Sequence, residues 1–211
     1  MPHNIGVVGT LGAGKTTTAS FMAWYYKQKI ESVNGTVKLF ANYDLTGAER
    51  MRVAEDWFKV AAAHGSICVW DEAHRSFDSR KSLKFANTLA TDILTFVRKM
   101  ASIQIFATPS INRLDTRIRE TLEIMIQVRS MGNKGIQLDY FDFQADSNSS
   151  MGKFMHSRFL PSSKLKRIHG LNLFDSHSFV SGFPLPRTER AAETFMEELE
   201  RVHNLARGAK L

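Results

Sequence analysis

One glycine-rich segment near the amino terminus has the residue types and the spacing for phosphate chemistry. Residues 9–16 read GTLGAGKT, which fits G-x-x-x-x-G-K-[ST] at every fixed position. Glycines let backbone N–H groups approach phosphate oxygens, and the amino end of a following helix attracts negative charge. We predict that the segment binds ATP, with Lys15 on the β- and γ-phosphates and the Thr16 hydroxyl on Mg²⁺. The residues predicted to contact the nucleotide are Gly9, Leu11, Gly12, Ala13, Gly14, Lys15, Thr16 and Thr17.

Two adjacent carboxylates follow an apolar segment farther along the chain. Residues 66–70 (SICVW) read as a buried strand, and Asp71 and Glu72 come directly after it. An acid at this point helps to hold Mg²⁺ in phosphate-loop proteins, so we assign Asp71 to the metal together with Thr16. Glu72 would point differently and polarise a water toward the γ-phosphate. Residues 71–74 also spell DEAH, a label of two-lobed helicases, but this chain has no room for a second motor lobe.

The elements that must position these residues follow from hydrophobic periodicity. Apolar runs predict strands at 5–8, 36–40, 66–70, 103–107 and 122–128, and helical spacing predicts helices at 17–27, 47–63 and 83–100. This alternation predicts an α/β fold of the P-loop NTPase class, with a mostly parallel sheet and helices on both faces. Residues 42–44 (NYD) would end the second strand, where α/β proteins place ligand groups. Thr108 ends another strand, either as a γ-phosphate sensor or as an ordinary strand terminus.

The pattern changes beyond residue 130. We predict a P-loop ATPase core at 1–130 and a small C-terminal β/α extension at 131–211, packed on that core. Residues 135–143 alternate like a strand whose phase slips near Tyr140, which indicates a bulge or a strand end. Residues 171–180 fit a further strand pair. Residues 187–205 fit an amphipathic helix that packs on its own domain, on a neighbouring subunit, or on a capsid or membrane partner.

Composition narrows the class of protein and its partners. The 211 residues include 28 Lys and Arg against 21 Asp and Glu, a formal net charge of +7. This balance favours an acidic partner, nucleic acid before an anionic membrane. Cys68 is the only cysteine, so an intramolecular disulfide is excluded and the residue reads as part of the core. The amino terminus is unlike a signal peptide and no segment approaches the ~18 apolar residues of a membrane span. The expected location is the cytoplasm.

Three segments together resemble one group of ATPases. Residues 9–16, the pair 71–72, and residues 98–100 (RKM) leading into 103–108 (IQIFAT) resemble the FtsK/HerA group of DNA-pumping ATPases. Within it the chain is most similar to genome-packaging ATPases of tailless, membrane-containing phages. It is related in pattern to filamentous-phage assembly and zonula-occludens-toxin-like proteins. The resemblance covers about residues 4–129. The group usually carries Gln where this chain has Pro109, so Asn112 is a second candidate for the sensor.

The resemblance implies a RecA/FtsK-like motor that hydrolyses ATP with Mg²⁺ and drives double-stranded DNA into a viral capsid. Such motors are homo-oligomeric rings, in which a neighbouring subunit supplies an arginine to the γ-phosphate. The candidates are Arg98, Arg113, Arg117 and Arg119, and we prefer Arg117 or Arg119 because they directly precede the last core strand. A capsid or membrane-vertex protein would be the partner that recruits the motor, which would work in the host cytoplasm and could also associate with the virion. Two basic zones could contact DNA phosphates: Arg75, Arg80, Lys81 and Lys84, and Lys153, Arg158, Lys164, Lys166 and Arg167.

Two other functions fit parts of the sequence. A filamentous-phage-type assembly ATPase would act on a membrane export complex and would normally carry a membrane span. A small-molecule or nucleoside kinase needs no Glu beside the metal-binding acid and usually has an arginine-rich lid. Residues 113–119 resemble such a lid.

Overall fold

A computed structural model of the protein describes residues 3–73, 84–114, 116–145, 151–176, 178–186 and 188–208. Within these ranges, eight strands form one sheet and six α-helices accompany it. The strands are β1 (Asn4–Val8), β2 (Lys38–Ala41), β3 (Ala48–Arg50), β4 (Ser66–Trp70), β5 (Ser102–Thr108), β6 (Ile124–Ser130), β7 (Gly135–Asp142) and β8 (Lys153–Pro161). The helices are α1 (Lys15–Glu31), α2 (Asp56–Ala63), α3 (Lys84–Phe96), α4 (Thr116–Glu120), α5 (Ser162–Gly170) and α6 (Glu189–Ala206).

The sheet has the order β3-β2-β4-β5-β1-β6-β7-β8. All neighbours from β3 to β6 pair in parallel, whereas β7 pairs antiparallel with both β6 and β8. This topology confirms the predicted α/β class with a mostly parallel sheet. Because parallel strands end at the same edge, the segments that follow β1, β2, β4 and β5 meet there.

Both faces of the central parallel strands β1, β4 and β5 are buried, as their continuous apolar runs indicate. On one face, the rings of Trp57 and Trp70 lie 5.5 Å apart, and Phe183 lies 4.6 Å from Trp70. Cys68 packs in the same cluster, and burial raises the pKa of its thiol to about 11. The other face packs against α1 and includes Ile5 and Val69. The two layers together hold β1 and β4, the strands that lead into the two predicted motifs.

The segment 47–63 departs from the helix that its spacing predicts. Residues 48–50 form the edge strand β3 beside β2, and α2 begins only at Asp56. The Asp56 carboxylate accepts hydrogen bonds from the backbone N–H groups of Arg52 (2.8 Å) and Val53 (3.1 Å). This local turn and the pairing with β2 override the helical periodicity, because tertiary contacts outweigh propensity.

The prediction of a strand pair at residues 171–180 is wrong. Among its described residues the segment makes one isolated bridge, from Phe174 to Leu45. The segment and the residue that follows it instead bond to the chain beyond β2. The Thr46 N–H donates to the Leu173 carbonyl (2.7 Å). Ser181 N–H likewise donates to the carbonyl of Asn42 (2.8 Å). We call residues 172–176 and 178–183 the strap, because they lie across the carboxyl end of β2.

The other features predicted for the C-terminal part are present. The β7–β8 register shifts between Tyr140 and Phe141, which confirms the predicted irregularity. Helix α6 confirms the predicted amphipathic helix, and Phe195 stacks on Phe58 of α2 with ring centroids 5.2 Å apart. Leu205, expected on its apolar face, is 49% exposed. No described helix combines the length and the apolar character that crossing a bilayer requires.

Candidate active site

The glycine-rich segment forms the loop between β1 and α1. Gly12 and Gly14 have φ angles of 74° and 96°, in the left-handed region that glycine adopts readily. A Cβ at Gly9 would lie 2.4 Å from the carbonyl oxygen of Val128 in β6, so only glycine fits there. Leu11 is exposed at the tip of the loop, and Ala13 is buried beneath it. The first N–H groups of α1 therefore follow a tight turn, the arrangement that binds anions.

Lys15 and Thr16 start α1 and connect the loop to the end of β4. Lys15 is buried, and its Nζ donates a hydrogen bond to the carbonyl of Thr10 within the loop (3.0 Å). The Thr16 Oγ1 donates to the Oδ2 of Asp71 (2.9 Å). A hydroxyl and a carboxylate are oxygen ligands of the kind Mg²⁺ prefers. The fold thus brings together the two residues that the sequence assigns to the metal.

The Asp71 carboxyl has a raised pKa in the folded protein. Burial raises the pKa of its carboxyl, although the hydrogen bond from Thr16 and the one from the Glu72 N–H act in the opposite direction. The nearby Glu72 charge raises the pKa further, whereas Lys15 lowers it. A divalent cation beside Asp71 would favour the charged form. The site therefore suits a metal whose charge offsets that of the carboxylate.

Glu72 adopts an unusual backbone conformation. Its φ of 50° lies in the left-handed region, which costs a non-glycine residue about 1 kcal/mol. Its N–H donates to Oδ1 of Asp71 (3.0 Å). Glu72 lines the same cavity as Lys15 and Thr16. The turn that ends β4 therefore separates the two acids: Asp71 bonds to Thr16, and Glu72 lines the cavity.

Asn42 holds the backbone of Asp71, a role that the sequence does not reveal. Its Oδ1 accepts from the Asp71 N–H (2.8 Å), and its Nδ2 donates to the Asp71 carbonyl (3.0 Å). The same Nδ2 donates to the carbonyl of Ser181 in the strap (2.6 Å). Asn42 is buried at the end of β2. The sequence places it at the correct edge of the sheet, but its partners come from segments 29 and 139 residues away.

A cavity of about 470 Å³ borders the loop. One wall contains Gly12, Gly14, Lys15, Thr16, Thr17 and Glu72, and the other contains Ile168 and His169 of α5 with Asn172, Leu173 and Phe174 of the strap. Sequence reasoning missed this second wall. The apolar pair at 173–174 within a polar stretch is the one local signal for it.

Thr108 ends β5 beside β1, in register with Val8. Its side chain is buried, and its Oγ1 donates to the carbonyl of Ser110 (3.2 Å). The alternative sensor, Asn112, lies on the next turn, where its Oδ1 accepts a hydrogen bond from Nη1 of Arg119 (3.1 Å). Neither residue lines the cavity beside the loop.

The candidate arginines lie at different places in the fold. Arg98 is exposed between α3 and β5, at the edge of the sheet opposite the loop. Arg113 is exposed just beyond the carboxyl end of β5. Arg119 lies in α4 and also donates to the Thr116 hydroxyl (3.4 Å). Arg117 lies in the same helix, but its side chain is outside the part of the chain that the structure describes. Among the candidate side chains that the structure describes, Arg98, Arg113 and Arg119 do not line the cavity beside the loop.

The second basic zone lies on β8 and α5. Lys153 and Arg158 are exposed on the edge strand β8, and Lys164, Lys166 and Arg167 are exposed on α5. In the first zone, Arg75, Arg80 and Lys81 lie outside the described residues, as does the side chain of Lys84 at the start of α3.

Asp71→Asn is expected to raise the thermal stability of the nucleotide-free protein. Because the pKa of Asp71 is raised on folding, its contribution to stability falls as pH rises from the unfolded value through the folded value. At neutral pH the uncharged amide of Asn avoids the free-energy cost of burying a charged carboxylate. Its oxygen can still accept the hydrogen bond from the Glu72 N–H. Each 1 kcal/mol corresponds to about 2–4 °C in Tm for a protein of this size. Calorimetry at pH 7 without ligand measures the expected rise in Tm. Calorimetry with Mg·ATP measures a second expected effect, which is that the variant loses the rise in Tm that the ligand gives the wild type.

Asp139→Asn is the matched control, with the opposite sign. Burial opposes ionisation of Asp139, but hydrogen bonds from Ser157, Gln137 and Arg129 lower the pKa of its carboxyl. Its charge therefore stabilises the fold above its unfolded pKa, and this stability is lost as pH falls. Removing the charge should lower Tm at pH 7. Tm changes of the same sign and size in the two variants would contradict the inference that the buried charge of Asp71 destabilises the fold.

Comparisons with known proteins agree on the class of fold. A model of the ATPase family associated with various cellular activities (AAA) matches residues 5–130. The N-terminal domain of zonular occludens toxin from Neisseria meningitidis is similar, with a TM-score of 0.54 and 16% identity over 92% of this chain and 98% of that one. B204, the DNA-packaging ATPase from Sulfolobus turreted icosahedral virus, has a TM-score of 0.50 and 13% identity over 74% and 98% of the two chains. No curated protein matches the sequence.

The region matched by the family model contains both motifs. It begins within β1, includes the loop at 9–16 and the acids at 71–72, and ends with β6. The two structural likenesses, at low identity, concern the fold alone. Since the family model covers more than half of the chain and includes the complete phosphate-binding loop, the protein belongs to the AAA family and is a P-loop ATPase.

Proposed function

We propose that the chain is a ring-forming motor that uses ATP hydrolysis to move double-stranded DNA into a viral capsid. The observation that carries the hydrolytic part is the meeting of Lys15, Thr16 and Glu72 at one cavity, with Asp71 bonded to Thr16. The DNA part is supported by the net charge of +7 and the exposed basic zone on β8 and α5. A protein of similar fold is described as a DNA-packaging ATPase.

In this proposal each residue at the cavity has a separate role in ATP hydrolysis. Lys15 exchanges its hydrogen bond to the Thr10 carbonyl for the β- and γ-phosphates of ATP. Thr16 and Asp71 would hold Mg²⁺, which neutralises charge on the phosphates when bound. Glu72 orients a water and accepts its proton as the water oxygen bonds to the γ-phosphorus, while the bond from that phosphorus to the β–γ bridging oxygen breaks and ADP leaves. The backbone N–H groups of the loop stabilise the negative charge that develops on the phosphate oxygens.

The proposal requires a second copy of the chain at each site. An arginine from the neighbour, Arg119 or Arg117 before Arg98, would meet the charge that develops on the γ-phosphate. Hydrolysis would move basic residues along the DNA backbone without reading its sequence, since phosphate contacts carry no sequence information. A capsid or membrane-vertex protein would recruit the ring in the host cytoplasm.

A second candidate function is a phage-assembly ATPase related to zonular occludens toxin. One observation favours it: the likeness to the toxin domain extends over 92% of this chain and therefore includes the C-terminal part. Such an ATPase would act on an export complex, and DNA would leave its hydrolysis rate unchanged.

The ATPase rate with and without duplex DNA tests the proposal. We expect DNA to stimulate hydrolysis at about 50 mM salt, and the stimulation to fade toward about 200 mM as phosphate contacts weaken. Lys15→Ala controls for contaminating ATPases. A rate that ignores DNA at every salt concentration refutes DNA translocation, and co-purification with membrane export proteins would then favour the second candidate. Phosphate transfer to a nucleoside would instead identify a kinase.

Neutralising the basic zone separates DNA contact from ATP chemistry. The triple variant Lys164→Gln, Lys166→Gln, Arg167→Gln changes exposed residues of α5. We expect it to lose most DNA stimulation and to show a shallower salt dependence, while the rate without DNA stays unchanged. Full stimulation in this variant would exclude α5 from the DNA-binding surface.

A further inference from the structure

A second cavity, of about 530 Å³, lies between α1, the β7–β8 pair and α5. We call it the aromatic cavity, because Phe21, Tyr25 and Tyr26 of α1 and Tyr140 of β7 line it. Thr17 and Ile168 border both this cavity and the one beside the phosphate loop. The two cavities are therefore adjacent, with the first turn of α1 and the end of α5 between them.

The aromatic cavity extends along α1 from the residue that follows the phosphate-loop motif. Thr17 directly follows Thr16, the residue that ends the loop motif. From Thr17 to Tyr26 the helix advances about 13 Å, at 1.5 Å per residue. Phosphates held at the start of α1 would therefore lie beside the near end of the aromatic cavity.

The walls of the aromatic cavity have the chemistry that a flat base needs. The rings of Tyr140 and His156 are stacked, with centroids 4.5 Å apart and an interplanar angle of 12°. Leu138 and Leu160 add apolar contacts, and Arg158 adds a cation. Tyr26 also lines the cavity, and its hydroxyl can donate a hydrogen bond. Bases stack on aromatic side chains because both have extended π-faces.

We propose that the aromatic cavity binds the purine base and ribose of the nucleotide whose phosphates the loop binds. The proposal rests on the proposed function, since it requires a nucleotide at the loop. Tyr140 and His156 supply the stacking surface, and Arg158 and Tyr26 contact the polar edge of the base or the ribose. This assignment leaves Lys153 and the three basic residues of α5 as the part of the second basic zone that contacts DNA.

Calorimetric binding of two ligands separates the base site from the phosphate site. Mg·ATP uses both sites, whereas magnesium tripolyphosphate has no base and uses only the loop. We expect Tyr140→Ala combined with His156→Ala to weaken ATP binding by roughly 5- to 150-fold, the range that corresponds to one lost stacking contact. Tripolyphosphate affinity should not change. His156→Ala alone, at an exposed position, provides a variant with little risk to folding.

A matched control truncates another aromatic residue on the same strand. Phe159 lies on β8 and is 49% exposed, but it is not part of the aromatic cavity. Phe159→Ala should bind both ligands as the wild type does. Equal losses for ATP and tripolyphosphate in the Tyr140 and His156 variants, or no loss for either ligand, overturn the proposal. If the wild type binds neither ligand, the phosphate site itself is refuted, and the base site with it.

Discussion

Glu72→Gln is expected to lower kcat for ATP hydrolysis by about 10²- to 10⁴-fold, the usual contribution of a positioned general base. The amide has the size of the carboxylate but cannot accept a proton from the attacking water. Lys15, Thr16 and Asp71 are unchanged, so the affinity for Mg·ATP should remain close to that of the wild type. Steady-state hydrolysis together with calorimetric ATP binding measures both quantities on the same protein.

Two observations would contradict this role of Glu72. A kcat within threefold of the wild type would show that another group activates the water. A parallel loss of ATP affinity would show that Glu72 contributes to ground-state binding instead. Glu31→Gln is the matched control, because it removes one carboxylate at the exposed far end of α1 and should leave both quantities unchanged.

Asn42→Leu is expected to weaken both the fold and the metal site. Leu has nearly the same shape but leaves the N–H and carbonyl of Asp71 and the carbonyl of Ser181 without their amide partner. An unpaired polar group costs about 1–3 kcal/mol when fully buried, and less here because these three hydrogen bonds are partly buried. Loss of a group that orients a metal ligand typically lowers metal affinity or activity by about 10- to 100-fold. We therefore expect a lower free energy of unfolding and a higher Mg²⁺ requirement for hydrolysis.

Ser181→Ala distinguishes the two effects of Asn42. The Ser181 hydroxyl donates to the carbonyls of Asn42 (2.9 Å) and Met51 (3.1 Å), so its removal loosens the strap. The bonds from Asn42 to Asp71 remain intact. This variant should lose stability without a change in the Mg²⁺ requirement, measured by denaturation and by Mg²⁺ titration of the ATPase. A normal Mg²⁺ requirement in Asn42→Leu would show that the amide stabilises the fold only.

Much of the site could be predicted from the sequence because its parts are local. The loop at 9–16 depends on backbone angles that Gly12 and Gly14 adopt within a few residues of the strand and helix they join. The acids at 71–72 depend on the end of a five-residue apolar strand. Mispredicted segments are those whose conformation depends on contacts outside the segment: residues 48–50 pair with β2, and residues 171–180 bond to the chain beyond β2.

By itself, the sequence determined the class of fold, the phosphate loop, the acid pair and the amphipathic C-terminal helix. Periodicity and glycine placement encode these features over short distances. Only the tertiary structure decided that Asn42 holds Asp71, that the strap and α5 form the second wall of the cavity, and that Tyr140 stacks on His156 beside α1. Each of these contacts joins residues from different elements, so its geometry exists only after the sheet has brought those elements together.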